Sequence, residues 1–208
     1  LPSNDPLHST LEFTTPTVLP LEDILPEGAE IVDIAAGQTH SLLLDSQGNV
    51  YGMGNYGFGK LDITNTAIGV SNYTSGPVKL RLPSSAQAYD ISADQNTTHI
   101  LTRSGDVLSI GKDTRTGKFD QGQFGTTEVT NAGPSYADGD SNYIALSSGA
   151  NSVLTIDVNG KVHAWGANAR GQLGVGTNVN VTAATNGASV DTTFNEKFAG
   201  DGRVTTYV

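Results

Sequence analysis

His40 and Ser41 stand side by side in IAAGQTHSLLLDSQGNVYGMG, Ile34–Gly54. A serine nucleophile activated by a histidine base is the arrangement of acyl-transfer chemistry, and it needs a third, orienting group. Neighbouring residues of a strand point to opposite faces, so these two cannot serve each other. The corresponding positions further along the chain are Thr97-Thr98 and Ser152-Val153, neither of which keeps the pair. His40 is therefore read as a hydrogen-bonding residue aimed at a neighbouring structural unit. His99 and His163 fall in strand-like runs, and no ligand spacing joins the histidines into a metal site.

Gly52–Gly57, GMGNYG, fits the G-x-G-x-x-G pattern. That motif binds a pyrophosphate only where a strand precedes it and a helix N-terminus comes after it. The next residues here are FGKLDITNT, without a helical pattern, so the glycines are read as the bend that ends a strand. Asp138–Asn142, DGDSN, opens like a calcium loop, but the sixth and twelfth positions are Tyr143 and Gly149, where an EF-hand needs glycine and a bidentate carboxylate. It is read as an acidic turn. Asn72-Tyr73-Thr74, Asn96-Thr97-Thr98 and Asn180-Val181-Thr182 are glycosylation sequons, meaningful only in a eukaryotic secretory pathway. No catalytic, cofactor-binding or metal-binding residue is assigned on these grounds, and no cofactor is expected.

The elements that would position such residues repeat. Asp90–Gly111 aligns with the opening stretch at an offset of 57, and Ala145–Gly166 aligns with Asp90–Gly111 at an offset of 55. Gly48, Gly105 and Gly160 then coincide, as do Val50, Val107 and Val162. Met53, Ile110 and Trp165 share a position that the alignment places in the core. Within each unit, short apolar runs flank Gly turns (SQGN, RSGD, VNGK), which is the signature of a β-hairpin. Thr15–Leu21 and Gly76–Leu82 read as Pro-led strands. Lys112–Gln121 is an insertion expected to lie on the surface. A period in the fifties with several strands per unit indicates propeller blades.

Composition narrows the partners. The 208 residues hold 11 Lys and Arg against 21 Asp and Glu, with no Cys. The resulting charge of −10 opposes binding to nucleic acid or to anionic membranes, and the missing thiols exclude disulfides and thiolate chemistry. No apolar run is long enough to cross a membrane as a helix. The chain starts LPSNDPLHST, without Met, so the sequence is read as having lost a leader or as incomplete at its start.

IVDIAAGQTHSLLLDSQGNVYGMGNYGFGKLD and GKVHAWGANARGQLGVG resemble the repeat of the regulator of chromosome condensation family. The resemblance implies an all-β propeller of four-stranded antiparallel blades, usually seven. About three are present here, so the ring is expected to be incomplete or completed by a partner. The expected divisions are 1–30, a lead carrying the closing strand of a preceding blade; 31–87, first repeat; 88–142, second; and 143–208, third with a C-terminal strand. The expected role is a non-enzymatic interaction or structural module whose polar loops bind protein or glycan. Its expected setting is extracellular, in adhesion at a cell surface or in a virion or fibre. The alternatives are a glycan-active propeller enzyme and a nucleotide-exchange or chromatin-binding regulator. Open flanks of apolar surface are expected to make the isolated chain self-associate.

Overall fold

The computed structural model describes residues 15–61, 73–95, 97–111, 135–136, 142–150 and 152–180. These form three antiparallel sheets stacked in sequence order. The first is β1 (Ile31–Ala36), β2 (His40–Asp45), β3 (Val50–Asn55) and β4 (Tyr73–Lys79). The second is β5 (Ala88–Ala93), β6 (Thr97–Thr102), β7 (Val107–Gly111) and β8 (Ser135–Tyr136). The third is β9 (Tyr143–Gly149), β10 (Ser152–Asp157) and β11 (Val162–Gly166), three strands among the described residues. Each sheet is an up-and-down meander, the construction of a propeller blade. The strands β1, β5 and β9 pack against one another and form the inner side of the stack.

The repeat alignment holds at the level of register. His40 pairs with Gly54, Thr97 with Gly111 and Ser152 with Gly166. Gly48, Gly105 and Gly160 occupy the same hairpin turn with φ of 84°, 86° and 78°, a left-handed conformation that glycine adopts without a Cβ clash. The first two have a second use between blades. The Gly48 carbonyl accepts from Ala88 N at 3.0 Å, and the Gly105 carbonyl accepts from Tyr143 N at 3.0 Å, so each turn receives the first strand of the next blade. A Cβ on Gly105 would come within 2.8 Å of the Asn142 Cα.

Two apolar cores lie between the blades. Leu42, Leu44 and Val50 of the first blade meet Ile91, Ile100, Leu108 and Ile110 of the second. Leu101 and Val107 on the opposite face of the second blade meet Tyr143, Val153 and Trp165 of the third. Both faces of the middle blade are thus buried, and every residue of β6 and β7 is buried. Trp165 and Ile110 are fully buried, as their shared position requires. Met53 corrects that expectation: it is only half-buried. Its position faces the preceding blade in the second and third units, and no described strand precedes the first. Thr15–Leu21 forms no strand, contrary to the closing strand expected there, and residues 1–14 lie outside the described residues. Pro16 and Pro20 remove two backbone donors from Thr15–Leu21.

Each inner strand carries the same irregularity. Ile31 pairs with Asp45 but Asp33 with Leu44, so Val32 is bulged out. Ala88 pairs with Thr102 but Asp90 with Leu101, which bulges Tyr89. Tyr143 pairs with Asp157 but Ala145 with Ile156, which bulges Ile144. The insertion Lys112–Gln121 and the terminal RVTTYV lie outside the described residues, as do Asp138–Ser141, Asn72 and Asn96.

Candidate interaction surface

Asp45 ends β2 and organises the first hairpin. Its carboxylate accepts from Gln47 N at 2.9 Å, Asn49 N at 2.8 Å, Asn49 Nδ2 at 2.7 Å and the Tyr51 hydroxyl at 3.0 Å. Burial pushes this carboxyl up, but the hydrogen bonds from Asn49, Tyr51 and Gln47 outweigh it and hold Asp45 below its ordinary range. Tyr51 is pushed up to about 12, first by burial and then by the hydrogen bond to Asp45 and its charge. Asp157 repeats the device, accepting from Asn159 N and Lys161 N, each at 2.9 Å, and from His163 Nε2 at 3.0 Å. The hydrogen bond from His163 leads the causes that lower its carboxyl. In the middle unit Thr102 takes the place, its hydroxyl accepting from Asp106 N at 3.0 Å. Sequence reasoning missed this device, whose signal is the D-x-x-G of DSQG and DVNG.

His40 lies between the first two blades. The Thr98 hydroxyl donates to the Lys60 carbonyl at 2.7 Å, so it accepts from His40 Nε2, 3.1 Å away. That fixes the tautomer with the proton on Nε2. Burial, then the charge of Lys60, lowers the His40 pKa to about 4. Lys60 is itself buried, its Nζ donating to Thr39 Oγ1 at 2.8 Å, and burial lowers its pKa. Ser41 pairs with Met53 on the opposite face of the strand. The His-Ser pair is thus split between two environments, and His40 serves the contact with the next blade. His99 is buried with Nδ1 2.8 Å from Ser109 Oγ and Nε2 3.6 Å from Asp94 Oδ2.

The glycines of GMGNYG do not cradle a phosphate. Gly54 has φ 97° and a Cβ there would meet the Thr39 carbonyl at 2.7 Å, and only a single 3-10 turn, Gly57–Gly59, comes next. The equivalent Gly111 and Gly166 have φ of 130° and 107°. Asn180 of the third sequon has its side-chain carbonyl engaged by Asn168 N at 2.9 Å. Among the described residues no group of three His, Asp or Glu is placed to hold a metal ion.

The inner strands are joined by side chains. Leu146 N donates to Asp90 Oδ2 at 3.1 Å and Ser148 N to Ser92 Oγ at 2.9 Å, so β5 satisfies the outward amides of β9. Burial, the leading cause, raises the Asp90 carboxyl. The side chains exposed along these strands are mostly apolar, with Ile34 of β1 and the polar Ser147 of β9 also open to solvent. Val32 is 60%, Tyr89 58% and Ile144 50% exposed.

These features define a propeller protein: antiparallel blades in register with one another, joined through turn glycines and inner-strand side chains. Residues 31–59 and 159–185 match the regulator of chromosome condensation (RCC1) repeat. Two stretches of the chain therefore match the RCC1 repeat, and the fold is of β-propeller type. The chain is similar to human "Probable E3 ubiquitin-protein ligase HERC3", 28% identical over 157 residues, which are 74% of this chain and 14% of that relative. It also resembles the crystal structure of human WBSCR16, with a TM-score of 0.61 at 18% identity over 76% of this chain and 39% of that one. Yeast RCC1 (Prp20) bound to Kap60 gives 0.61 at 19% identity, covering 74% and 36%. A second structure of Prp20p, from Saccharomyces cerevisiae and described with its binding to Gsp1p and histones, gives 0.59 at 18%, covering 74% and 37%. The chain spans less than two-fifths of each of these solved relatives and a far smaller part of the ligase.

Proposed function

We propose that this chain is a protein-interaction module that catalyses no reaction itself. The observation that carries this reading is the fate of its chemically capable side chains. His40, Lys60, His99, Asp45 and Asp90 are all engaged in holding turns and blades together. None of them converges with a nucleophile on an open site. A rigid frame with recognition carried on its faces is the common use of such a scaffold. Two of the solved structures resembling this chain are described with protein partners, Kap60 for one and Gsp1p and histones for the other, which supports the class of partner and not its identity.

A role in nucleotide exchange or chromatin binding is the second reading, supported only in that Prp20p is described with its binding to Gsp1p and histones. The acidic balance of the chain suits basic protein partners better than DNA. A setting at a cell surface, in adhesion or in a virion, with glycan as an alternative ligand and other chains completing the ring, rests on composition and on the three-blade count alone. Affinity capture with the full-length protein, followed by titration of each purified partner, tests the proposal. Stoichiometric, saturable binding of a protein without chemical change in either component is expected. Turnover of a glycan, or catalysed nucleotide release from a captured GTPase, would replace it with one of the alternatives.

A further inference from the structure

The three inner-strand bulges fall at positions 32, 89 and 144, spaced by the same 57 and 55 residues as the repeat itself. A bulge re-aims a side chain that a regular ladder would place elsewhere, and its recurrence makes it part of the blade's design. Here it turns out one large apolar side chain per blade at the end of the inner strands where the hairpin turns lie. Between the second and third blades this row opens into a cleft of about 400 Å³. Tyr89, Ile144 and Val158 give it three exposed apolar walls, and the turn Arg103–Gly105 closes one side. Its size suits one or two inserted side chains.

The charge of the cleft selects the occupant. Among the described residues Arg103 is the one charged residue lining it, exposed on a chain that is otherwise strongly acidic. Its backbone N is fixed to the Gln87 carbonyl at 2.8 Å, while one guanidinium nitrogen reaches only as far as the Ser46 carbonyl, at 3.5 Å. The guanidinium therefore keeps donors for a carboxylate. The nearby carboxylate of Asp90 is turned to Leu146 N.

We propose that the cleft between Tyr89, Ile144 and Arg103 is a docking site for an extended peptide that carries apolar side chains beside a carboxylate. The proposal rests on the reading of the chain as a protein-interaction module and names the surface and partner chemistry of that module. Two labelled peptides, GDLFDG and GKLFKG, titrated against the full-length protein by fluorescence anisotropy, test it. The acidic peptide should bind, and the basic one should bind at least tenfold more weakly. Arg103→Gln should weaken the acidic peptide by tenfold or more, and Tyr89→Ser and Ile144→Ser by threefold or more each. Ile156→Ser, on the opposite face of the third blade, should leave the affinity unchanged. All four positions are exposed, and unchanged Trp165 emission reports intact folding. Equal or tighter binding of the basic peptide, indifference to Arg103→Gln, or no binding of either peptide would overturn the site. Any of these results, obtained alongside stoichiometric capture of a protein partner, removes this surface and leaves the wider reading standing.

Discussion

His40 Nε2 lies 3.1 Å from Thr98 Oγ1, joining the second strands of adjacent blades across a buried contact. Because Thr98 spends its own proton on the Lys60 carbonyl, the histidine must be the donor, and it is held neutral with Lys60 nearby. This neutral histidine makes stability depend on pH. The folded pKa, about 4, is below the ordinary value of 6.5, so the folded state binds fewer protons than the unfolded state between these values. Stability is fully present above about pH 6.5 and is lost as the pH falls toward 4, by up to about 3 kcal/mol. Urea midpoints at pH 7.5, 5.5 and 4.5 should fall accordingly. His40→Gln should be less stable at pH 7.5 and flatter across this range. An equally steep dependence in that variant would assign the effect to other groups.

Gly105 and Gly160 share a turn conformation but differ in surroundings. Alanine at either must adopt a positive φ, costing about 1 kcal/mol. At Gly105 the new Cβ also meets the Asn142 backbone at 2.8 Å, whereas at Gly160 it enters open space. Gly105→Ala should therefore cost at least about 2 kcal/mol more than Gly160→Ala in the 208-residue chain, because backbone and not a flexible side chain has to move. Equal midpoints in chemical denaturation would refute the contact between turn and next blade.

Trp165→Ala should cost about 3–5 kcal/mol, as expected of a large, fully buried aromatic. Met53→Ala, at the equivalent position on the first blade, should cost about 1 kcal/mol, since its side chain is only half-covered. Thermal unfolding of both variants measures the difference. Trp165, the only tryptophan, should emit at short wavelength in the native protein and shift to the red in one step with loss of the contact between the last two blades.

Asp45→Ala strands the Gln47 and Asn49 amides and the buried Tyr51 hydroxyl, and should cost about 3 kcal/mol. Asp157→Ala removes the same turn device from an exposed hairpin and should cost clearly less. Denaturation of the pair measures this, and the reverse order would place the stabilisation elsewhere.

Much of the blade construction was legible in the sequence because it is local. The hairpin glycines at 48, 105 and 160 announce their turn through φ, and alternation around them sets the register, so pairs such as Thr97 with Gly111 follow from counting. The alignment missed the features that depend on a neighbour. Met53 and Trp165 have equivalent backbones, yet among the described residues only Trp165 has a blade packed over it. Val32 and Tyr89 look like ordinary alternating strand residues, and only pairing with the second strand reveals that each is left out of the ladder. Lys60 gives no sequence sign of burial. Its position is set by the 3-10 turn before it and by Thr39, which lies 21 residues away.

Hydrogen exchange of the full-length protein with and without its captured partner tests the central claim most directly. If the blades are a rigid frame that binds protein through an exposed face, the amides of β2, β6 and β10 should exchange at the same slow rate in both states. Slowing should concentrate at the hairpin turns and around Val32, Tyr89 and Ile144. Slowing confined to another face would remove the proposed cleft alone, whereas a partner that slows no region at saturating concentration would contradict the interaction-module account itself.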